Sequence, residues 1–286
     1  MNLSVVIVTF NEEANLGRTL ESVKPLVTDG KGEIIIVDSG STDRTVEIAV
    51  SFGAKVFVEE WKGYAAQKNS AIDKAAGDWI LSLDADEEVE AKLSEELRWL
   101  LVAIRGWEKD GVPVDDDPGS REIRERGYQY GLDEEKLNGF LIPRKNFFLG
   151  RRIRFGGFWP DSKLRLFRKG IGKFQDRLVH EDVQVDGNTS SIQRGSLLHH
   201  SYPTLSDYIE HMNRYSSLGA EMVVAKGTVR FSVINIVLRP LATFVYNYFF
   251  RLGFLDGREG LLLHLYHAVY VSWKYAKAWE LSRKQS

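Results

Sequence analysis

The chain has 286 residues, of which 43% are hydrophobic and 27% charged, and it contains no cysteine. This composition is typical of a folded protein with a sizeable core, and it excludes disulfide scaffolds, zinc–thiolate sites, iron–sulfur clusters and thiol nucleophiles. Residues 1–143 carry a net charge of −13 (16 Lys and Arg against 29 Asp and Glu), and residues 144–286 carry +11 (22 against 11). The acidic half favours cation binding and the basic half favours phosphate or an anionic membrane surface, unless the two halves simply attract each other.

The first hundred residues alternate short β-branched runs with amphipathic segments. We predict strands at 3–9, 33–37, 55–58 and 78–83, and helices at 12–27, 41–52, 64–76 and 90–104. Asn11 is predicted to cap the first helix and Gly77 to end the third. Strands separated by helices of this length indicate right-handed βαβ crossovers and a parallel sheet.

The rest of the chain has a different character. Residues 106–138 contain the string D-D-D-P-G and many charges, which predicts a polar insertion or a mobile loop. Short strands rich in Phe and Arg are predicted between 139 and 201, followed by helices at 204–225, 231–252 and 260–281. The first residues do not resemble a signal peptide, and no apolar run reaches the length of a transmembrane helix.

The last two predicted helices combine aromatic and basic residues. Phe231–Phe250 and Leu261–Trp279 are rich in Leu, Tyr, Phe and Trp, with Arg and Lys in or beside them. This pattern is typical of helices that lie in a bilayer interface. The alternative is a helical hairpin that packs on the catalytic domain or on a second subunit.

Polar residues follow the first, second and fourth predicted strands. They are Thr9, Asn11 and Glu12, then Asp38, Ser39 and Gly40, then Asp84, Ala85 and Asp86. In an open parallel sheet, ligands bind at the carboxyl ends of the strands. No glycine-rich phosphate-binding motif is present, so a bound nucleotide would need another counter-charge, which a divalent metal on the D-A-D carboxylates would supply.

Two rival interpretations of the D-A-D string are weak. A calcium loop would need glycine at the sixth position, where Val89 stands. A phosphotransferase of the haloacid dehalogenase type would carry Thr or Val where Glu88 stands, and its motif would follow the first strand rather than the fourth.

Three strings together resemble a known family. They are S-V-V-I-V-T-F-N-E at 4–12, V-D-S-G-S-T-D at 37–43 and L-D-A-D at 83–86. They look like the nucleotide-sugar half of a family 2 glycosyltransferase with the GT-A fold. Later strings are similar to the lipopolysaccharide core β-1,4-glucosyltransferase-like branch; these are G-G-F-W-P-D-S-K-L-R-L-F at 156–167, V-H-E at 179–181, L-H-H-S-Y at 198–202 and G-F-L-D-G at 253–257.

The resemblance covers nearly the whole chain except 106–138 and implies an architecture. The fold class is α/β of the GT-A type, Rossmann-like, with a mixed, mainly parallel sheet flanked by helices. Residues 1–203 would form the catalytic domain, with a nucleotide-sugar-binding half (1–105), the polar insertion (106–138) and an acceptor and base half (139–203). Residues 204–286 would form a C-terminal helical extension that associates with a membrane or dimerises.

The resemblance also implies roles for the donor site. Thr9, Asn11, Glu12 and Asp38 would line the uridine pocket, where Asp38 would accept a hydrogen bond from the base N–H. Gln67, Lys68 and Asn69 would close over the nucleotide. Lys68 would meet a phosphate unless it belongs to a solvated helix face, and Arg165 would either meet the diphosphate or pair with an acid of the N-terminal half.

The implied cofactor is Mg²⁺ or Mn²⁺. Asp86 would ligate the metal at the diphosphate, and Asp84 beside it would face the ribose and act as a further metal ligand. His199 would be a third metal or diphosphate contact, with an ordinary structural histidine as the alternative. Trp159 would stack on a sugar ring or belong to the core.

Inversion at the anomeric carbon needs one general base to take the proton of the acceptor hydroxyl. Glu181 is the predicted base, Asp182 is the alternative, and an exposed acidic turn is the interpretation without catalysis. His180 would orient the carboxylate.

The function implied is transfer of a hexose, such as glucose from UDP-glucose, to a lipid-linked or lipopolysaccharide-core acceptor. The enzyme would be peripheral at the cytoplasmic, inner face of the cytoplasmic membrane, with no nucleic-acid partner and with possible homo-oligomers through the C-terminal helices. One alternative is a nucleotidyltransferase, which would be expected to carry a glycine-rich basic loop after the first strand. The other is a catalytically inactive nucleotide-sugar-binding module.

Overall fold

The computed structural model describes residues 2–28, 30, 32–111, 113, 117–132, 136–175, 183–227 and 229–284. The chain divides into two compact units. In the described ranges, the first unit contains 2–144, 162–175 and 183–198, and the second contains 145–161 and 199–284. Residues 145–161 and 199–203 therefore belong with the C-terminal helices, whereas the sequence-based division assigned them to the catalytic domain.

Regular structure covers most of both units. The strands are β1 (Leu3–Thr9), β2 (Gly32–Asp38), β3 (Lys55–Val58), β4 (Trp79–Asp84), β5 (Glu87–Val89), β6 (Leu137–Phe148), β7 (Arg151–Arg152), β8 (Asp161–Arg168), β9 (Gly172–Phe174), β10 (Val183–Val185), β11 (Asn188–Ser191) and β12 (Leu197–Tyr202). The α-helices are α1 (Leu16–Val27), α2 (Thr45–Ser51), α3 (Tyr64–Lys74), α4 (Ala91–Asp110), α5 (Pro118–Tyr130), α6 (Leu205–Val224), α7 (Arg239–Val245) and α8 (Gly257–Lys284).

The main sheet is mixed, and its N-terminal part is parallel. Its strand order is β3-β2-β1-β4-β8-β6-β12-β5, with β7 and β11 also pairing with β6. β1 runs parallel to β2 and β4, and β2 runs parallel to β3, whereas β8 lies antiparallel to β4. β9 and β10 form a separate two-stranded sheet. The predicted fold class, a mixed and mainly parallel GT-A sheet with flanking helices, is confirmed.

The first unit is built on the period-two alternation of its strands. Val5 and Ile7 of β1 pack on one face of the sheet with Leu20 of α1 and Leu97 of α4. Val6 of β1 points the other way and packs in the cluster that contains Ile72 of α3. Both faces are therefore covered, which is why these strands read as continuous apolar runs.

Two predicted helix boundaries are wrong for local reasons. Asn11 is not the cap of α1, because it lies in the left-handed region (φ 55°) and a turn separates it from the helix, which begins at Leu16. Gly77 does not end α3 as a left-handed residue. A Cβ at this position would lie 2.7 Å from the backbone of Asn2 and Ser4, so glycine is needed for close approach to β1.

The expected polar insertion at 106–138 is largely helical in its described part. α4 continues to Asp110, and α5 begins after Asp117, whose side chain caps it by accepting from the N–H groups of Gly119 and Ser120. Tyr130 is buried and its hydroxyl donates to the carboxylate of Glu96. The described residues of this segment therefore contribute to the core of the first unit.

The second unit has its own small core. Phe148, Ile153, Tyr208 and Leu263 are buried together. Buried Asp256, in the string at 253–257, accepts from the backbone N–H of Phe155, directly before the string at 156–167, at 2.9 Å. These two chain segments are thus joined inside one unit.

The predicted helix at 231–252 is helical but irregular. Two π-helical turns, Ile234–Leu238 and Tyr246–Phe250, flank α7, and a 3-10 turn (Gly253–Asp256) leads into α8. Across the described ranges, no helix combines the length and apolar character needed to cross a bilayer.

Candidate active site

The carboxyl ends of β1, β2 and β4 bring the predicted donor-site residues to one edge of the sheet. Thr9 pairs with Asp38 in the register of β1 and β2, and Val8 pairs with Asp84 in the register of β1 and β4. The loops that follow these three strands are therefore neighbours. This is the position at which open parallel sheets bind ligands.

Asp38 builds the turn that follows β2. The residue is fully buried, and its Oδ1 accepts from the backbone N–H groups of Gly40 (3.0 Å) and Ser41 (2.7 Å). Its Oδ2 accepts from the hydroxyls of Thr9 (2.7 Å) and Ser41 (2.6 Å). Asp38 was predicted to accept from the base N–H, but both of its carboxylate oxygens accept hydrogen bonds from the protein itself.

Asn11 joins the loop after β1 to the loop after β2. Its backbone N–H donates to Ser41 Oγ at 2.8 Å, and its Oδ1 accepts from the N–H of Thr42 at 2.8 Å. The neighbouring Glu12 N–H donates to Thr45 Oγ1 at 2.7 Å. These cross-loop bonds explain the left-handed backbone of Asn11, which aims both its N–H and its side chain at the second loop.

The carboxylate of Glu12 lies in an acidic environment. Burial raises its pKa, and the charges of Asp86, Asp43 and Asp84 raise it further, against the hydrogen bond from Asn15 Nδ2. A carboxylate with a raised pKa among other acids is a group that a bound cation would stabilise in its ionised form.

Asp84 is held between two cations. Lys68 Nζ lies 2.8 Å from its Oδ1, and Arg165 Nη2 lies 2.5 Å from its Oδ2. Burial alone would raise the pKa of Asp84, but Arg165 and Lys68 outweigh it and hold that pKa well below the usual range. The same contacts raise the pKa of the Arg165 guanidinium, although burial opposes them.

Glu87 completes this network and was missed in the sequence. It is fully buried and accepts from Arg165 (2.7 Å), from Arg144 (3.1 Å) and, through Oε2, from the N–H of Asp84 (3.0 Å). The described contacts thus join three cations, Lys68, Arg165 and Arg144, to the carboxylates of Asp84 and Glu87. The sequence did offer one signal for Glu87. Arg144 and Arg165 lie inside β6 and β8, and a buried cation requires an acidic partner.

The two alternatives left open for Arg165 and Lys68 are now resolved in part. Arg165 pairs with acids of the N-terminal half. Lys68 is 8% exposed and contacts the ring of Phe174, so the solvated-face interpretation is wrong. Neither finding tests the contact with a diphosphate.

The other two predicted residues of α3 make internal bonds. Asn69 donates from Nδ2 to the carbonyl of Phe174 and accepts at Oδ1 from the N–H of the same residue, both at 2.9 Å. Gln67 is fully buried, and its Nε2 donates to Ser39 Oγ at 3.3 Å. α3 thus anchors β9 through Asn69 and reaches the turn after β2 through Gln67.

Asp86 lies in the turn between β4 and β5 and is half-buried. Among the described residues, no three His, Asp or Glu side chains form a group that could hold a metal ion. A metal at Asp86 would therefore take most of its ligands from elsewhere. Mg²⁺ commonly binds in this way, through one or two carboxylates together with substrate phosphates and water.

His199 and Trp159 belong to the second unit. His199 Nδ1 lies 2.7 Å from Asn146 Oδ1 and 2.7 Å from Ser201 Oγ, which is the environment of a hydrogen-bonded structural histidine. Trp159 is half-buried, with the Arg152 guanidinium 4.6 Å from the centre of its ring. The predicted bases Glu181 and Asp182, and His180 beside them, lie outside the described residues.

Comparison with known proteins gives consistent similarities. Residues 4–103 match the family model described as "Glycosyl transferase family 2". The chain is 29% identical to the lipopolysaccharide core biosynthesis glycosyltransferase LpsC of Rhizobium meliloti, over 97% of this chain and 92% of that protein. It is 30% identical to an uncharacterized glycosyltransferase of Rickettsia typhi, over 99% of this chain and 88% of that protein.

Among solved structures, Staphylococcus aureus TarS 1–349 in complex with UDP is 16% identical, with a TM-score of 0.46 over 100% of this chain and 92% of that chain. This is a distant likeness.

Proposed function

Because this chain belongs to glycosyltransferase family 2, we propose that it is an inverting, metal-dependent hexosyltransferase that uses a UDP-sugar. UDP-glucose is the donor to test first, since the later strings resemble the glucosyltransferase-like branch. The similarity to LpsC over nearly the whole chain supports a lipopolysaccharide-core saccharide or a lipid-linked saccharide as the acceptor. The observation that carries the proposal is the network of cations and carboxylates at the carboxyl ends of the parallel strands.

Donor binding is proposed for the loops after β1, β2 and β4. Thr9, Asn11, Glu12 and Asp38 would line the uridine pocket, with Asp38 acting through the turn that it holds, and Asp84 would face the ribose. The cross-loop hydrogen bonds of Asn11 and Asp38 support this assignment, because they hold the loops in place before a ligand arrives. Preformed loops lose less conformational entropy on binding.

The second proposed donor contact is electrostatic. Lys68 and Arg165 are buried beside Asp84, and Arg165 and Arg144 both contact Glu87. A diphosphate that bound here would bring its negative charge close to these two buried cations. The low exposure of both cations strengthens such an interaction, because solvent screens it less. Gln67 and Asn69 would then act on the nucleotide through the turn after β2 and through β9.

The carboxylates fit a Mg²⁺ or Mn²⁺ ion that is shared with the donor. Asp86 is the proposed protein ligand, since Asp84 is engaged by Lys68 and Arg165. Glu12, whose pKa is raised by burial and by the charge of Asp86, is an acid that would gain from the ion. When bound, the metal would neutralise charge on the departing UDP. His199 stays a proposed additional contact on the strength of the resemblance alone.

The proposed general base is Glu181, with Asp182 as the alternative. The base would accept the proton of the acceptor hydroxyl as that oxygen forms the new bond to the anomeric carbon and UDP leaves with the electrons of the old one. Glu181→Gln should keep donor binding and lose transfer. If transfer survives in Glu181→Gln and is lost in Asp182→Asn, the base is Asp182.

A lipid-linked acceptor would have the enzyme act at the cytoplasmic face of the cytoplasmic membrane as a peripheral protein. The helices of the second unit would carry this contact, or a contact with a second copy of the chain.

The deciding experiment is calorimetric donor binding with and without Mn²⁺. The panel is UDP, UDP-glucose, UDP-galactose, UDP-N-acetylglucosamine and GDP-mannose. We expect metal-dependent binding of uridine donors and selectivity for one of them. Failure of all five nucleotides to bind under both conditions would contradict the proposed donor site.

A further inference from the structure

The helical segment from 231 to 265 exposes an unusually large apolar surface. Its exposed members, called the apolar face below, are Phe231, Val233, Ile234, Val237, Leu238, Leu241, Tyr246, Phe249, Phe250, Leu252, Phe254, Leu255, Leu261 and Leu265. Phe250 is 75% exposed and Ile234 is 64% exposed. At roughly 150–250 Å² for each aromatic side chain, its five aromatic members alone present on the order of 500 Å² to solvent. Apolar patches of this size are often functional.

The exposure does not come from a loosely held segment. The described range 231–252 contains one buried residue, Pro240, yet its other side is fixed to α8. Ser272 Oγ donates to the carbonyl of Ile236 at 2.8 Å, and the rings of Phe231 and Trp279 pack edge to face, 5.1 Å apart. The apolar face therefore points away from a supported helix within the second unit.

The exposed charged side chains between 229 and 265 are all arginines. Arg230, Arg239, Arg251 and Arg258 are all exposed. The acids between 229 and 265 are Asp256, which is 2% exposed and accepts from backbone N–H groups of the same unit, and Glu259, which is half-buried and lies 3.7 Å from Arg151. An approaching surface would thus meet exposed aromatic side chains and arginines, with no exposed acidic side chain among them.

This combination selects an anionic lipid surface over a second copy of the chain. A two-fold dimer would place the same patch against itself and bring the arginines of both copies together. An anionic bilayer accepts both features, since aromatic side chains enter the boundary between headgroups and acyl chains while arginines stay with the headgroup phosphates.

We propose that the apolar face docks the protein onto anionic phospholipid, with Phe249 and Phe250 among the side chains that enter the bilayer. The proposal deepens the proposed function by naming the surface at which transfer to a lipid-linked acceptor takes place. It rests on the second unit alone, and its test does not require turnover.

The test is flotation of the full chain with two kinds of vesicle, one of phosphatidylcholine alone and one containing about a third phosphatidylglycerol. We expect the protein to bind the anionic vesicles more strongly. Phe249→Ser with Phe250→Ser should lower the partition coefficient about tenfold or more on both kinds of vesicle. Arg230→Glu with Arg258→Glu should remove the preference for phosphatidylglycerol.

Matched controls lie in the first unit. Trp61→Ser removes an aromatic side chain that is 50% exposed, and Arg98→Glu with Arg105→Glu reverses two exposed charges on α4. Neither control should change binding by more than about twofold. Thermal unfolding of each variant verifies that it is folded.

Three results would overturn the proposal. The first is that the wild-type protein binds neither kind of vesicle. The second is that the control variants lose as much binding as the variants of the apolar face. The third is that sedimentation shows a dimer, that Phe249→Ser with Phe250→Ser dissociates this dimer, and that the protein does not bind vesicles. Calorimetric donor binding without vesicles separates these outcomes from failure of the proposed function, because the donor site lies in the first unit.

Discussion

At the scale of single residues, the guanidinium of Arg165 is the most consequential charge of the candidate site. It is 6% exposed and bonds to both Asp84 and Glu87. Removing one partner of a buried ion network leaves the others uncompensated, so Arg165→Met should lower the free energy of unfolding by about 3–5 kcal/mol. The exposed variant Arg98→Met is the control and should change it by less than about 0.5 kcal/mol. Urea unfolding measures both, and equal effects would contradict the network.

Asp86 offers a residue-scale test of the metal. Asp86→Ala should abolish the part of UDP affinity that depends on Mn²⁺, because Asp84 is engaged by Lys68 and Arg165 and does not replace it. Asp110→Ala, at the exposed end of α4, is the control and should leave that affinity unchanged. Calorimetry with and without Mn²⁺ gives the comparison. An unchanged metal dependence in Asp86→Ala would remove the proposed ligand.

His264 predicts how stability depends on pH. The side chain is 1% exposed, and neither ring nitrogen has a hydrogen-bond partner among the described residues. Burial lowers its pKa from 6.5 to about 4, with His267 and Arg251 adding to the effect and Asp256 opposing it. Between pH 6.5 and about pH 4, His264 therefore binds a proton in the unfolded chain but not in the folded protein.

Stability from His264 is therefore complete above about pH 6.5 and is lost as the pH falls towards about 4, up to about 3 kcal/mol in all. His264→Leu removes the titrating group and should flatten this part of the pH dependence. Urea unfolding at several pH values measures the slope. Equal slopes in the wild-type protein and the variant would show that His264 contributes nothing to it.

At the scale of elements, contact between α4 and α5 depends on the absence of a side chain at Gly127. A Cβ at this position would lie 2.3 Å from the ring of Trp107. Gly127→Ala should therefore destabilise the protein by about 1–3 kcal/mol despite the better helix propensity of alanine.

Gly106 is the matched control for this prediction, because it lies in α4 with no atom within 4 Å of an added Cβ. Gly106→Ala should stabilise the protein by about 1 kcal/mol. Thermal unfolding should thus shift in opposite directions for the two variants. Shifts of the same sign would contradict the packing of α5 on Trp107.

The same two helices show where sequence reasoning ends. The first four strands and the helices between them were predictable, because each strand is an apolar run and each helix carries an apolar stripe. α5 buries only Gly127 and Tyr130 among mostly charged and polar residues, so its sequence reads as a polar loop. The late start of α1 followed from bonds between two loops, which no local pattern encodes.

The position of the candidate site could also be predicted from the sequence, whereas the contacts within it could not. The carboxyl ends of parallel strands lie at one edge of the sheet, so the polar residues after the strands could be expected to lie together there. The partners of Arg165 could not be predicted, because Arg165 reaches Asp84 and Glu87 only when β8 lies antiparallel beside β4, in a register that pairs Leu81 with Leu166. A pairing between residues about 80 positions apart depends on the tertiary fold rather than on spacing.

At the scale of the whole molecule, the charge asymmetry predicts different salt responses for two kinds of binding. Residues 1–143 carry −13 and residues 144–286 carry +11. The exposed arginines beside the apolar face contribute about 1 kcal/mol each near an anionic surface. Raising the salt concentration from ~0.1 M to ~1 M shortens the screening length from about 10 Å to about 3 Å.

Binding to anionic vesicles should therefore weaken about tenfold or more over this range, since exposed charges are screened. Binding to phosphatidylcholine should not weaken, because only the apolar face acts there and salt does not disrupt apolar burial. Calorimetric UDP binding should fall less than anionic vesicle binding, since Lys68 and Arg165 are shielded from solvent. Anionic vesicle binding that does not respond to salt would mean that the arginines play no part, and the docking surface would then be apolar alone.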